Sequence, residues 1–262
     1  MSLGWVLKYK KGPTCQMFRY QIIIEYDGTK HSGWQSQKNA KSIQNEIEKI
    51  FSKILKKKIK INGSGRTDAG VHSKNQSAHF DHENLISNKN KLVGSINYFL
   101  NRKNISIKRI IKKNMNFHAR HSAKEREYEY IILNRDAPPI LDKNKVWYIR
   151  SKLDIKLLKK AAKILIGTHN FNAFRSSNCQ ANSPIRTLNQ IKIIKKKEKI
   201  IFILRSKSFL KNQVRSIIGC LKYVGEKRWK LTDLKKVLKS KKRSNCAPPA
   251  PAQGLYLSKI IY

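Results

Sequence analysis

NQIKIIKKKEKIIFILRSK, residues 189–207, settles the fold class. Two strand-sized apolar runs, 189–195 and 199–207, are separated only by a short lysine-rich break. Strands that follow one another with no helix between them favour an α+β arrangement over a doubly wound parallel sheet. On either side of this pair the second half of the chain alternates in the same way. Strands are predicted at 126–133 and 145–149, a helix at about 154–166 and another at about 209–224. A short helix that Thr232 caps follows, and the chain closes on GLYLSKIIY.

The first half is a mixed unit of the same kind. Residues 20–26 read as a strand, and SIQNEIEKIFSKILKK, 42–57, reads as a helix with Ile43, Ile47, Ile50, Ile54 and Leu55 along one face and Ser42 as its N-cap. Strands at 59–61 and 76–80, a helix within 89–100 and a strand at 105–111 complete it. Two α+β halves are therefore expected, 17–115 and 116–262, each with an antiparallel or mixed sheet. Residues 1–16 are read as an N-terminal extension before Met17, because their apolar run is too short for a signal peptide and the lysines follow it. The Pro-bearing stretches 135–140 and 246–252 read as ordered loops.

The chain has 262 residues, 40% of them hydrophobic, which is enough for a buried core. No apolar run is long enough to cross a bilayer, so no membrane partner is expected. The four cysteines, Cys15, Cys179, Cys220 and Cys246, show no paired spacing, which suits a reducing cytoplasm and offers no zinc site. With 57 basic residues against 16 acidic ones, the formal net charge is +41. A compact body so charged repels itself unless a polyanion or salt screens it, which points to nucleic acid. Part of the excess reflects AT-rich codons for Lys, Ile and Asn, so charge alone does not separate RNA from DNA.

Within this basic chain, GSGRTDAGVHS, residues 63–73, sets one aspartate, Asp68, among glycines and directly after Arg66 and Thr67. The stretch lacks the Lys-Ser or Lys-Thr pair of a Walker loop and does not match G-x-G-x-x-G, so it is not a phosphate cradle. A plain turn is the default for glycines with an aspartate, but the Arg-Thr-Asp run is costly decoration for one. A catalytic carboxylate must stay ionised while substrate excludes water, and a nearby guanidinium opposes the desolvation that would neutralise it. Glycines would also let a bulky ligand approach the backbone. A metal site drawn from His72, His79, Asp81 and His82 is the competing reading and would make the chain a metal-dependent RNA hydrolase. If 76–80 is a strand, however, His79 and Phe80 point to opposite faces, and nothing sets His82 beside Asp68. His118 and His121 in HARH read as structural or RNA-facing. A third reading is an RNA-binding protein with no chemistry.

GSGRTDAGVHS resembles the signature of the tRNA pseudouridine synthase A family, and the resemblance continues in order along the chain. It includes IEYDGTKHSGWQSQ (24–37), FHARHSAKEREYEYII (117–132), FLKNQVRSIIG (209–219) and APAQGLYL (250–257). The resemblance implies the pseudouridine synthase fold, with two α/β halves meeting at a central catalytic cleft, and a homodimer that embraces tRNA. It implies isomerisation of uridine to pseudouridine at positions 38–40 of the anticodon stem-loop, with no cofactor and no metal. Asp68 matches the family's nucleophile, Arg66 the arginine that enters the vacated stack or holds a phosphate, and Tyr128 the pocket tyrosine that stacks on the base. Arg215 matches the arginine that pairs with the aspartate, and Leu255 a pocket wall. Lysines at 56–58, 195–197 and in the 235–243 run would follow phosphates. The chain departs from the pattern at Gln213, where Met is usual, at His121, where Phe is common, and at Glu127 and Glu129, where basic residues are frequent. These two glutamates, on alternate strand positions, are expected to face away from the base.

Overall fold

The computed structural model describes residues 16–37 and 40–262; the extension expected at 1–16 lies, apart from Gln16, outside the described residues. The stretch quoted first folds as a hairpin, β8 (Ile185–Lys196) and β9 (Lys199–Ser206), with Lys197 left-handed at the turn (φ 53°). Along β9 alternate residues Ile200, Phe202 and Leu204 are buried, as period-two patterning requires. The register of β8 slips between Leu188 and Gln190, so its first residues fall out of alternation. A short strand, β7 (Gly167–Asn170), pairs on the outer side of β8.

In the first half, β1 (Phe18–Tyr26) lies between β3 (His72–His82) and β4 (Ile105–Lys113), antiparallel to both, and a two-residue β2 (Asn62–Gly63) pairs with β3. The expected strand at 59–61 is thus displaced to 62–63. Two helices cover this sheet. In α1 (Ile43–Leu55), Ser42 Oγ accepts from Asn45 N at 3.3 Å, and Ile43, Ile47, Ile50 and Phe51 are buried. In α2 (Lys89–Leu100), Leu92, Ile96 and Leu100 are buried. Helices of this length are marginal alone, and burial worth about 1.5–3 kcal/mol per large apolar side chain decides that they form.

The second half holds β5 (Glu125–Asn134), with β6 (Trp147–Ile149) beside it, and the helices α3 (Ile155–Leu165), α4 (Gln213–Gly225) and α5 (Leu231–Ser240). Lys230, not Thr232, occupies the N-cap of α5, and Asp233 Oδ2 accepts from Lys230 N at 2.9 Å, so Thr232 falls inside the first turn. Apolar residues on nearly every side of α4, including Val214, Ile217, Ile218, Leu221 and Val224, are buried. Its Cys220 thiol touches that of Cys246 at 3.4 Å, a proximity that spacing did not suggest.

The last strand, β10 (Leu255–Ile261), joins the halves. It runs parallel to β3 through Tyr256↔His72 and Leu257↔Ser73, and antiparallel to β5. The main sheet therefore reads β4-β1-β3-β10-β5-β9-β8-β7. The α+β class stands, with the strands of both halves joined in one mixed sheet over two hydrophobic cores, one around α1 and α2 and one around α3, α4 and α5. The seam between β3 and β10 is polar. Ser73 Oγ donates to Leu257 O at 3.0 Å, Asn75 Nδ2 to Ser258 O at 2.8 Å, and Tyr262 OH to Ser77 Oγ at 2.6 Å.

Candidate active site

The loop before β3 carries Asp68 at the seam, and its backbone is braced from both halves. Trp34 N donates to Thr67 O at 3.0 Å, and Tyr26 OH meets Thr67 Oγ1 at 2.8 Å. A Cβ on Gly33, whose φ is +102°, would stand 2.5 Å from Thr67 O, and one on Gly63 would stand 2.5 Å from the Trp34 indole. Gly63 therefore serves packing and not ligand access, whereas Gly65 has nothing within 4 Å of its Cβ position. Gln76 Nε2 holds Gly65 O at 2.9 Å, and Arg126 on β5 reaches across to Ser64 O at 3.0 Å. A turn closes at 3.2 Å from Val71 N to Asp68 O, and the Asp68 side chain is about one-third exposed.

Arg215 approaches from α4. Its Nε donates to Ala250 O at 2.7 Å, while Ala250 N donates back to Arg215 O at 2.9 Å, which ties the helix to the segment leading into β10. Its Nη1 stands 4.0 Å from Asp68 Oδ2. Tyr128 projects from β5, half-buried and edge-on to Phe209, with centroids 5.2 Å apart at 88°. Burial, and then the charge of Asp68, push its phenol well above its ordinary range. Sequence stretches far apart thus bring Asp68, Arg215 and Tyr128 into one place.

Other expected residues are placed differently. Arg66 is exposed on the Asp68 loop. Leu255, 5% exposed, lies in the second core opposite Tyr130 on β5. Tyr130 is fully buried, and its OH donates to Pro251 O at 2.8 Å. Glu127 pairs with Arg205 at 2.5 Å and Glu129 with Lys74, on the strand positions alternate to Tyr128. Among the described residues no three His, Cys, Asp or Glu side chains converge as a metal ligand set. His72 is instead bonded to Gly28 N and Asn144 O, both at 3.0 Å, His79 Nδ1 accepts from Ala119 N at 3.1 Å, and His118 Nδ1 closes its own turn on Arg120 N. Sequence reasoning missed Phe209 and Arg126 as parts of this site. Both stand within motif segments quoted above, and only the packing shows what they touch.

The family profile described as tRNA pseudouridine synthase matches residues 22–122 and 161–262. The chain belongs to the tRNA pseudouridine synthase family. It is 54% identical over 246 residues to the tRNA pseudouridine synthase A of Pelagibacter ubique (strain HTCC1062), covering 94% of this chain and 100% of that one. It is 41% identical over 246 residues to the tRNA pseudouridine synthase A of Maricaulis maris (strain MCS10), covering 94% and 98%. Family membership bears out the expected class of enzyme, an isomerase acting on tRNA. Among the described residues of this family member, no helix is long and apolar enough to cross a membrane.

Proposed function

We propose that this chain converts uridine to pseudouridine at positions 38–40 of the tRNA anticodon stem-loop, with Asp68 as nucleophile, as a cytoplasmic homodimer. The observation that carries the reading is the approach of Arg215 to Asp68, 4.0 Å across the seam, beside the half-buried ring of Tyr128. A stacked uracil must leave the stem before an enzyme reaches it, at a cost of about a few kcal/mol. Arg66, exposed on the Asp68 loop, suits the vacated stack or the neighbouring phosphate. Tyr128 offers the flipped base a ring to stack on.

In the reaction the N-glycosidic bond breaks, the uracil turns in place, and its C5 joins the ribose; the C5 proton leaves, N1 takes one up, and any bond that Asp68 has formed to the substrate breaks as product is released. Substrate and product are isomers, so the atoms balance without a cofactor. Once RNA expels water, the attraction between charges about 4 Å apart grows from roughly 1 kcal/mol in bulk water to about 4 kcal/mol at an effective dielectric near 20. Arg215, 4.0 Å away, then supplies the opposite charge that faces Asp68 as water leaves the site. The basic excess of the chain holds the phosphates, so binding weakens steeply with salt.

The test is a carbodiimide-based map of pseudouridine in tRNA from cells with and without the gene. Loss of the signal at positions 38–40 in the deletion, restored by the parent gene and not by Asp68→Asn, supports the reading. An unchanged map overturns the substrate assignment.

A further inference from the structure

Asn212 occupies the N-cap of α4, where an asparagine ordinarily turns its side-chain oxygen onto a backbone N–H two or three residues ahead. Here it makes no such cap, and its backbone is left-handed, with φ 63° and ψ 0°, a conformation asparagine tolerates better than most residues. Its Oδ1 accepts instead from Arg215 Nη1 at 3.3 Å, one turn along the helix. The turn presenting Asn212 is closed twice: Gln213 N donates to Leu210 O at 3.0 Å, and Leu210 N donates to Gln213 Oε1 at 2.8 Å. Gln213, which departs from the family's usual Met, is fully buried, so its carboxamide holds this turn and not a ligand at the surface.

A guanidinium is a rigid planar fork. Tethered only through Nε to Ala250 O, it would pivot about that bond. A second tether on Nη1 fixes the plane and thereby the edge that faces Asp68. The helix forgoes a cap at Asn212, and that oxygen goes to Arg215, which approaches the reacting carboxylate.

We propose that Asn212 is a positioning residue for the reaction, holding the Arg215 fork in the plane from which it serves Asp68. The inference rests on the reading that Arg215 supports Asp68. Because misplacement by about 1 Å can cost on the order of a hundredfold, loss of one of two tethers is expected to cost about tenfold.

The experiment uses the full chain, an unmodified tRNA transcript, single-turnover pseudouridine formation and a thermal melt for each variant. Asn212→Gly keeps the left-handed backbone and removes the acceptor. It is expected to lower the rate about tenfold, with tRNA affinity within about threefold of the parent. Asn212→Asp, which keeps an acceptor oxygen, recovers most of that loss. In an Arg215→Lys background, where the fork is absent, Asn212→Gly costs nothing further. A rate within twofold of the parent for Asn212→Gly overturns the proposal, and so does an equal loss in both backgrounds, the mark of a purely structural role. If Asn212→Gly melts too low to assay, the recovery by Asn212→Asp relative to Asn212→Ser decides in its place: equal rates for the two overturn the proposal. Full activity of Arg215→Ala would instead overturn the reading beneath it, and is scored separately.

Discussion

Arg19 and Asp81 face each other across neighbouring strands β1 and β3 and close a two-pronged pair, Nε to Oδ1 and Nη2 to Oδ2, both at 2.7 Å. Arg215 and Asp68 meet across the seam and stop 4.0 Å apart. In the first region the remaining donor is also engaged: Arg19 Nη1 reaches Met115 O and Phe117 O at 2.7 and 2.9 Å, pinning the segment that leads into the second half. In the second region the guanidinium is anchored to Ala250 and Asn212, and its charge is near Asp68 without a closed bond. The same two residue types therefore serve opposite ends. A closed fork holds chain segments together, and an open one leaves the Asp68 carboxylate outside a closed ion pair, as the nucleophile role proposed for it requires.

The sharpest way to break this contrast is Asp68→Asn. It is expected to reduce turnover by at least about a thousandfold, roughly 4 kcal/mol, while the melting temperature stays within about 2 °C. Pseudouridine formation and a thermal melt measure both, and turnover within tenfold of the parent would sink the nucleophile role. Next comes Arg215→Lys, which keeps the charge and loses the fork. A fall of about ten- to a hundredfold in single-turnover rate is expected, and parental behaviour would mean that charge alone suffices.

Asp81→Asn tests the other side. It should cost about 1–2 kcal/mol of stability, read from urea unfolding, with turnover within about twofold. The pH dependence follows the same region. The Arg19 guanidinium holds the Asp81 carboxyl below its usual range, and burial pushes His79 down to about 4. Both groups bind protons more weakly when folded, so the unfolded chain takes up more protons on acidification and stability falls. The His79 contribution is complete above the ordinary imidazole range and is lost as pH drops towards about 4. The Asp81 contribution goes at lower pH still. Unfolding free energies at pH 7, 5 and 4 should decline in that order, and a flat profile would contradict the assignment. The smallest effect is expected for Tyr128→Phe. The hydroxyl stays protonated at neutral pH, and the ring keeps its contact with Phe209, so the rate should fall by less than about tenfold with binding unchanged. A larger loss would assign the hydroxyl itself a part in removing the C5 proton.

Several features of the fold were legible because their causes are local. The isoleucine spacing of α1 and its Ser42 cap, and the alternation in β9, each express a periodicity contained within one element. Where the cause lay elsewhere, the reading slipped. The GTHN stretch of β7 has no alternation of its own and is a strand because β8 offers it a ladder. The slip in β8 hid its first residues, and Asp233 rather than Thr232 supplies the side chain at the start of α5. At the site, Asp68 stood out through its neighbours in sequence. Gly63, read as an opening for a ligand, proved to be the floor under Trp34, a contact no local pattern carries.

The amino-acid order by itself determined the helices and the longer strands, the glycine-framed loop around one aspartate and the family to which these motifs belong, since turn chemistry and hydrophobic periodicity act over a few residues. Only the tertiary structure decided that β10 threads between β3 and β5, that Arg215 stands 4.0 Å from Asp68, and that Asn212 gives its oxygen to that arginine in place of a helix cap. Those contacts join positions far apart in the chain, and packing of the two cores against one shared sheet is what brings them within reach of each other.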